Sequence, residues 1–190
     1  MIVQSDGTNH GFEFDNSEAH PDARPQSRPV VWNFTVVGSG DRDESGVEFA
    51  EGTGAELRNG IVMGYSASEA IDADDPDQRA ALDAGDVTAA SVLFANNATD
   101  VALGESTWDP TAPELGNRFG VVGNVLVDPQ NVAAPNFAPA GDVLLEGRVP
   151  TGLPATPDFD GTADYLGAID LGGPDWTAGW TVFEPFPDPA

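Results

Sequence analysis

One short pattern occurs more than once in this chain, and it constrains the fold more than any other feature. Trp32-Asn33-Phe34-Thr35-Val36-Val37-Gly38 returns as Leu57-Arg58-Asn59-Gly60-Ile61-Val62-Met63-Gly64, and more weakly as Ala89-Ala90-Ser91-Val92-Leu93-Phe94-Ala95. Each copy is a short β-type run, and the first two close on glycine. Val36 and Val62 are 26 residues apart, and the next copy follows after 31. A period of this size marks a chain that coils and stacks on itself as a solenoid.

A second run sits between the copies of the first. Gly11-Phe12-Glu13-Phe14-Asp15 resembles Gly46-Val47-Glu48-Phe49-Ala50, with Glu69-Ala70-Ile71-Asp72-Ala73 as a looser version. Apolar and acidic residues alternate in it, as a strand with one buried face requires. Each turn of the solenoid therefore contributes at least two short strands. Asn33 and Asn59 occupy equivalent corners, where asparagine tolerates left-handed backbone and can build hydrogen-bonded ladders between turns. Residues 16–28 and 41–45 read as loops. In residues 74–85, Pro76 lies near a helix start and Gly85 at a helix stop, which predicts one short helix.

Charge narrows the partners. The 190 residues carry 32 acids against seven bases, a formal net charge of −25, and all seven bases are arginine. Such a field repels phosphates, so nucleic acid and anionic membrane surfaces are poor partners. Two explanations of the acidity stand side by side. One is a solvated halophilic surface, whose self-repulsion molar salt screens over a Debye length of about 3 Å. The other is calcium, which takes about six to eight oxygen ligands. No stretch approaches the roughly 18 apolar residues of a membrane span. Met1 to Asp6 lacks the basic and apolar regions of a signal peptide, and Met1 runs almost directly into strand-like sequence, as in the latter part of a longer solenoid. Cysteine is absent, which removes disulfides, thiolate nucleophiles and cysteine-ligated metals.

The later chain loosens. Residues 120–129 suggest one more strand pair, and 128–157 are proline-rich. The tail, Asp164-Tyr165-Leu166-Gly167-Ala168-Ile169-Asp170 and Asp175-Trp176-Thr177-Ala178-Gly179-Trp180-Thr181-Val182-Phe183, is aromatic and suits a cap over an open solenoid end. An uncapped end exposes strand edges and invites end-to-end self-association if turns are missing.

These segments together resemble bacterial secreted or surface proteins with a right-handed parallel β-helix. The resemblance rests on Asn33-Phe34-Thr35-Val36-Val37-Gly38, Ala50-Glu51-Gly52-Thr53-Gly54, Asn59-Gly60-Ile61-Val62-Met63-Gly64 and Pro135-Asn136-Phe137-Ala138-Pro139. It is sharpest at Tyr165-Leu166-Gly167-Ala168 with Asp175-Trp176-Thr177-Ala178-Gly179-Trp180, and it covers most of residues 11 to 183. It implies an extracellular or cell-surface setting and supplies no catalytic residues. The expected fold is all-β: a right-handed parallel β-helix with loop insertions, one short helix and an aromatic C-terminal cap. The rungs fill residues 1–127, and the irregular segment and cap of the same domain fill 128–190.

Several residues are candidates for chemistry. Asp72, Asp74, Asp75 and Asp77 form the densest carboxylate cluster and could ligate calcium, although an EF-hand's glycine and terminal glutamate are missing; a solvated acidic turn is the alternative. Glu13 and Glu48 match in the second repeat, near Asp15 and Asp72. On adjacent turns about 4.8 Å apart they could act as the acid and base of glycoside hydrolysis, or simply form the outward half of a strand. Arg58 could be the basic group of a polysaccharide lyase, as in β-helix enzymes that combine a base with calcium-binding acids, or could pair with Glu48 or Glu51. Trp108, in loop sequence, is the best exposed ligand contact. His10 and His20 read as surface histidines. The functional expectation is a non-catalytic surface or binding module for carbohydrate or another surface component. The alternative is a polysaccharide-acting lyase or glycoside hydrolase, with calcium as the possible cofactor.

Overall fold

The computed structural model describes residues 1–4, 7–40, 44–131, 134–140, 163–170, 172–174 and 176–179. Among the described residues, twelve strands follow in order: β1 (Ile2–Val3), β2 (Phe12–Phe14), β3 (Val30–Trp32), β4 (Thr35–Val37), β5 (Val47–Phe49), β6 (Ala55–Met63), β7 (Glu69–Asp72), β8 (Val87–Ala95), β9 (Thr99–Ala102), β10 (Arg118–Val121), β11 (Leu126–Asp128) and β12 (Asn136–Pro139). They form two parallel stacks, β1-β4-β6-β8-β10 with β3 also on β6, and β2-β5-β7-β9, plus the antiparallel pair β11-β12. This is the parallel β-helix expected from the repeats.

The register is the repeat made physical. Ile2 pairs with Val36, Val36 with Val62 and Val62 with Phe94. In the second sheet Phe12 pairs with Val47, Val47 with Ile71 and Ile71 with Val101. Like side chains lie over like, so each turn buries the apolar face of the next. The third copy follows Val62 by 32 residues, one more than the sequence alignment gave, because Val62 meets Phe94.

Packing between turns is complementary. Phe34, 3% exposed, turns its ring into the place beside Gly60, where a Cβ would come within 2.1 Å of Phe34 Cζ. Gly46 opens its copy of the second run because a Cβ there would meet the backbone oxygen of Ala70 at 2.6 Å.

The corners are left-handed: Asn33, Asn59 and Ser91 have φ of 50°, 53° and 54°. Thus the sequence placed the corners correctly. The side-chain ladder is not made between the two asparagines. Asn33 Nδ2 donates to the Tyr165 carbonyl at 2.6 Å, and both amide atoms of Asn59 are buried without a partner.

The loop between β7 and β8 carries the expected helix, α1 (Arg79–Asp83), followed by Gly85 at φ 75°. Buried Gln78 donates through Nε2 to the Thr53 carbonyl at 2.8 Å, tying α1 to the turn below.

Residues 165–168 of the tail lie along a flank of the stack. Leu166 packs with Val37, Ile61, Met63 and Leu93 on the outer face of β4, β6 and β8. The Gly167 N–H donates to the Asn59 carbonyl at 2.8 Å and the Ala168 N–H to Thr35 Oγ1 at 2.9 Å. The reason is apolar area: that face alternates outward with Val37, Ile61, Met63 and Leu93, and the strap, joined by Val125 and Leu126, removes it from water. Asp175, Trp180 and residues 141–162 and 181–190 lie outside the described residues.

Candidate functional site

The outer face of β2-β5-β7 carries a column of acids. Glu13 pairs in register with Glu48, and Glu48 with Asp72; Ala102 ends the column on β9. The alternation that turns Phe12, Phe14, Val47, Phe49 and Ile71 toward the core points these acids outward. Asp15 follows Glu13 at the end of β2. Glu13, Asp15 and Glu48 each bring a carboxylate oxygen to within 4.8 Å of the others. Among the described residues this is the sole such grouping of three potential ligands.

Like charges this close raise one another's proton affinity. Partial burial pushes the Glu48 carboxyl above the usual carboxylate range, and Glu13, Asp72 and Asp15 add to the shift, while His10 opposes it. Asp72 is also raised, by burial first and by the Asp74 carboxylate, against the Asp74 N–H and His10. Burial and the neighbouring Asp72 and Asp74 raise Glu69 at the start of β7.

His10 is part of this face. Its side chain is 8% exposed, so it is not the surface histidine expected from the sequence, whereas His20 is exposed. Its Nε2 lies 3.1 Å from Glu44 Oε2 and 3.2 Å from Glu48 Oε2. Its Nδ1 lies 2.7 Å from Ser45 Oγ and accepts the Ser45 backbone N–H at 3.3 Å. A backbone N–H can only donate, so Nδ1 is the bare nitrogen and the ring proton is assigned to Nε2, the nitrogen nearer the carboxylates.

Three carboxylates at this spacing suit a hard divalent cation. Calcium takes oxygen ligands in flexible geometry, and three carboxylates, some bidentate, supply most of a shell. The raised Glu48 fits that donor set, since a cation would offset the cost of burying its charge and the repulsion from Glu13, Asp72 and Asp15. The other acidic cluster is used differently. Asp72 Oδ1 accepts the Asp74 N–H at 3.2 Å, and Asp75 accepts the Glu51 and Asp77 N–H groups at 2.9 Å each. Asp72, Asp74, Asp75 and Asp77 are thus strung along a turn, with Asp72 and Asp75 bracing its backbone, and the structure does not bring the four together around one point.

A family model for the pectate-lyase like beta helix domain matches residues 1–122. The chain belongs to that family. The matched span takes in β1 to β10 and every residue of the acidic face; β11, β12 and the strap lie beyond it. No curated protein and no solved structure matches the chain. No helix among the described residues of this pectate-lyase-like β-helix is long and apolar enough to cross a membrane.

In this β-helix Arg58 is on the other sheet. Its Nε donates to Glu56 Oε1 at 2.7 Å and its guanidinium lies 5.9 Å from the centre of the Trp32 ring. Its partner is therefore Glu56, two residues away on the same strand face, rather than Glu48 or Glu51. Trp108 is half-buried and meets Phe49 edge-on at 6.3 Å, packing against the core rather than standing free in its loop.

The sequence pointed to Glu13 and Glu48 through the repeat. It also set Asp15 and Asp72 near them, but it read His10 as a surface histidine, because the partners of His10 lie 34 to 38 residues away with no local pattern to signal them.

Proposed function

We propose that this domain is an extracellular, non-catalytic carbohydrate-binding module. Its binding face is the acidic outer face of β2-β5-β7, and Glu13, Asp15 and Glu48 hold a divalent cation that bridges to sugar hydroxyls. The observation that carries this reading is the convergence of three carboxylates to within 4.8 Å on adjacent turns. Carboxylates so placed repel one another until a cation joins them. A lyase reading is weaker. Abstraction of a proton beside a uronate carboxyl needs a base in reach of the bound sugar. The chain has no lysine, and Arg58 is held by Glu56 and Trp32 on another sheet.

The hydrolase reading has one observation in its favour, the raised Glu48 carboxyl beside Glu13, which resembles an acid paired with a base. One experiment separates the two. The chain is applied to a glycan array with calcium and with chelator, and in parallel incubated with neutral and acidic polysaccharides while reducing ends are counted. Calcium-dependent retention without new reducing ends supports the binding module. Turnover that Glu48→Gln abolishes overturns it in favour of the enzyme.

A further inference from the structure

The acidic face is braced from behind by a contact between turns that its own residues do not predict. His10 lies just before β2 and Ser45 just before β5. The Gly11 N–H donates to the Ser45 carbonyl at 3.0 Å, while the Ser45 N–H donates back to His10 Nδ1 at 3.3 Å. Ser45 is fully buried, with its Oγ 2.7 Å from the same Nδ1. The imidazole is therefore gripped at one nitrogen by a residue that cannot move without breaking the pairing of β2 with β5. Its other nitrogen lies 3.2 Å from Glu48 Oε2 and 3.1 Å from Glu44 Oε2.

The Glu48 side chain has reason to leave. Glu13, Asp15 and Asp72 surround it with like charge, and a flexible glutamate on the outer face of a strand relieves that repulsion by turning toward water. The imidazole, held 3.2 Å from Glu48 Oε2, supplies the opposing pull. We propose that His10, clamped by Ser45, is a positioning residue that fixes the Glu48 carboxylate against Glu13 and Asp15, so that the three are pre-assembled for a cation. This rests on the cation reading of the same face. Outer-shell donors of this kind orient the ligands they touch, and losing one typically costs about 10- to 100-fold in metal affinity. Glu44, which shares Nε2 at 3.1 Å, has a side chain 65% exposed and competes for the proton without joining the carboxylate group.

The test uses terbium(III) alone as the luminescent probe, with calcium as competitor, on the full chain and on His10→Phe and His10→Gln. The expected result is terbium binding weakened about 10- to 100-fold in His10→Phe. His10→Gln, whose amide N–H can still reach Glu48, should recover most of it. Melting midpoints are recorded alongside. A purely structural role would weaken both variants in step with their stability and show no rescue, and that result overturns the inference, as does unchanged affinity in His10→Phe. A second readout needs no cation. Nitrogen-15 spectra should show His10 protonated at Nε2, with an Nε2–H resonance that Glu48→Gln shifts. If the wild-type chain holds no terbium, the cation reading falls, and the spectra alone decide the clamp: a proton on Nδ1, or an Nε2–H resonance indifferent to Glu48→Gln, refutes it.

Discussion

Gly60→Ala probes the packing between turns directly. The Cβ it adds would lie 2.1 Å from Phe34 Cζ, 2.4 Å from Cε1 and 2.6 Å from Cε2, all on one buried ring. Those distances are far below contact, so the ring or the strand must shift, and overpacking of this kind costs about 1–3 kcal/mol. Gly60 is not in the left-handed region, so alanine strains no backbone there and gains about 0.4–1 kcal/mol by restricting the unfolded chain. The net expected loss is about 1–2 kcal/mol. Phe34→Leu alone should cost a similar amount, below the roughly 3–5 kcal/mol of a full truncation to alanine. The two changes compensate. With the ring gone, the new methyl fills part of the space it left, so the double variant should be more stable than the sum of the singles by about 1 kcal/mol or more. Urea unfolding of the four proteins, analysed with a common slope, measures this coupling. Additivity to within about 0.5 kcal/mol would mean that residues 34 and 60 do not share a site, and the stacking argument would fail with it.

The remaining expectations concern charge and the aromatic groups. Glu48, Asp72 and Glu69 have folded-state proton affinities above their unfolded ones. The folded state therefore binds more protons than the unfolded one between the ordinary carboxylate range and the raised values, and stability falls as pH rises through that window. The melting midpoint should climb on mild acidification from neutral pH until the ordinary carboxylate range is reached, and Glu48→Gln should flatten that climb; a midpoint that falls throughout contradicts the assignment. Asp83 behaves oppositely, because the Thr107 N–H and hydroxyl hold it low, but it is exposed and its contribution is screened. Trp108→Ala should lower stability by about 1–3 kcal/mol, less than a fully buried aromatic, and leave glycan retention unchanged; loss of retention at equal stability would restore Trp108 as a ligand contact. Sodium and potassium chloride at molar concentration should raise the midpoint equally, since both screen a net charge of −25. A rise with millimolar calcium that neither salt reproduces would show a specific site in addition.

The coil was legible because its signals are local and repeated. Valines at matching positions, glutamates alternating with Phe and Val, and asparagine at a left-handed corner all report the same geometry one turn at a time. The register across the helix insertion was one residue off for a related reason: residues 74–85 lengthen that turn, and only the pairing of Val62 with Phe94 fixes how much of the extra length the strand absorbs. What the sequence could not convey is contact without period. His10 meets Ser45 and Glu48 because two turns stack, yet no second histidine marks the place. The strap from Tyr165 to Ala168 finds Asn33, Asn59 and Thr35 more than 100 residues away. Its aromatic composition suggested a cap, and only the outward apolar row of β4, β6 and β8 explains why it lies along a flank.

The stacking that brings the acids together can be read in a single bond, because the chain contains no cysteine. Glu13 and Glu48 are register partners on adjacent strands, about 4.8 Å apart, inside the span of about 4.4–6.8 Å that a disulfide bridges. Glu13→Cys with Glu48→Cys should close a disulfide on mild oxidation, seen as a loss of free thiol in a monomeric, folded chain. Glu13→Cys with Asp72→Cys, two turns apart, should not. Closure of the second pair, or failure of the first, would contradict the arrangement from which the site and its proposed chemistry follow.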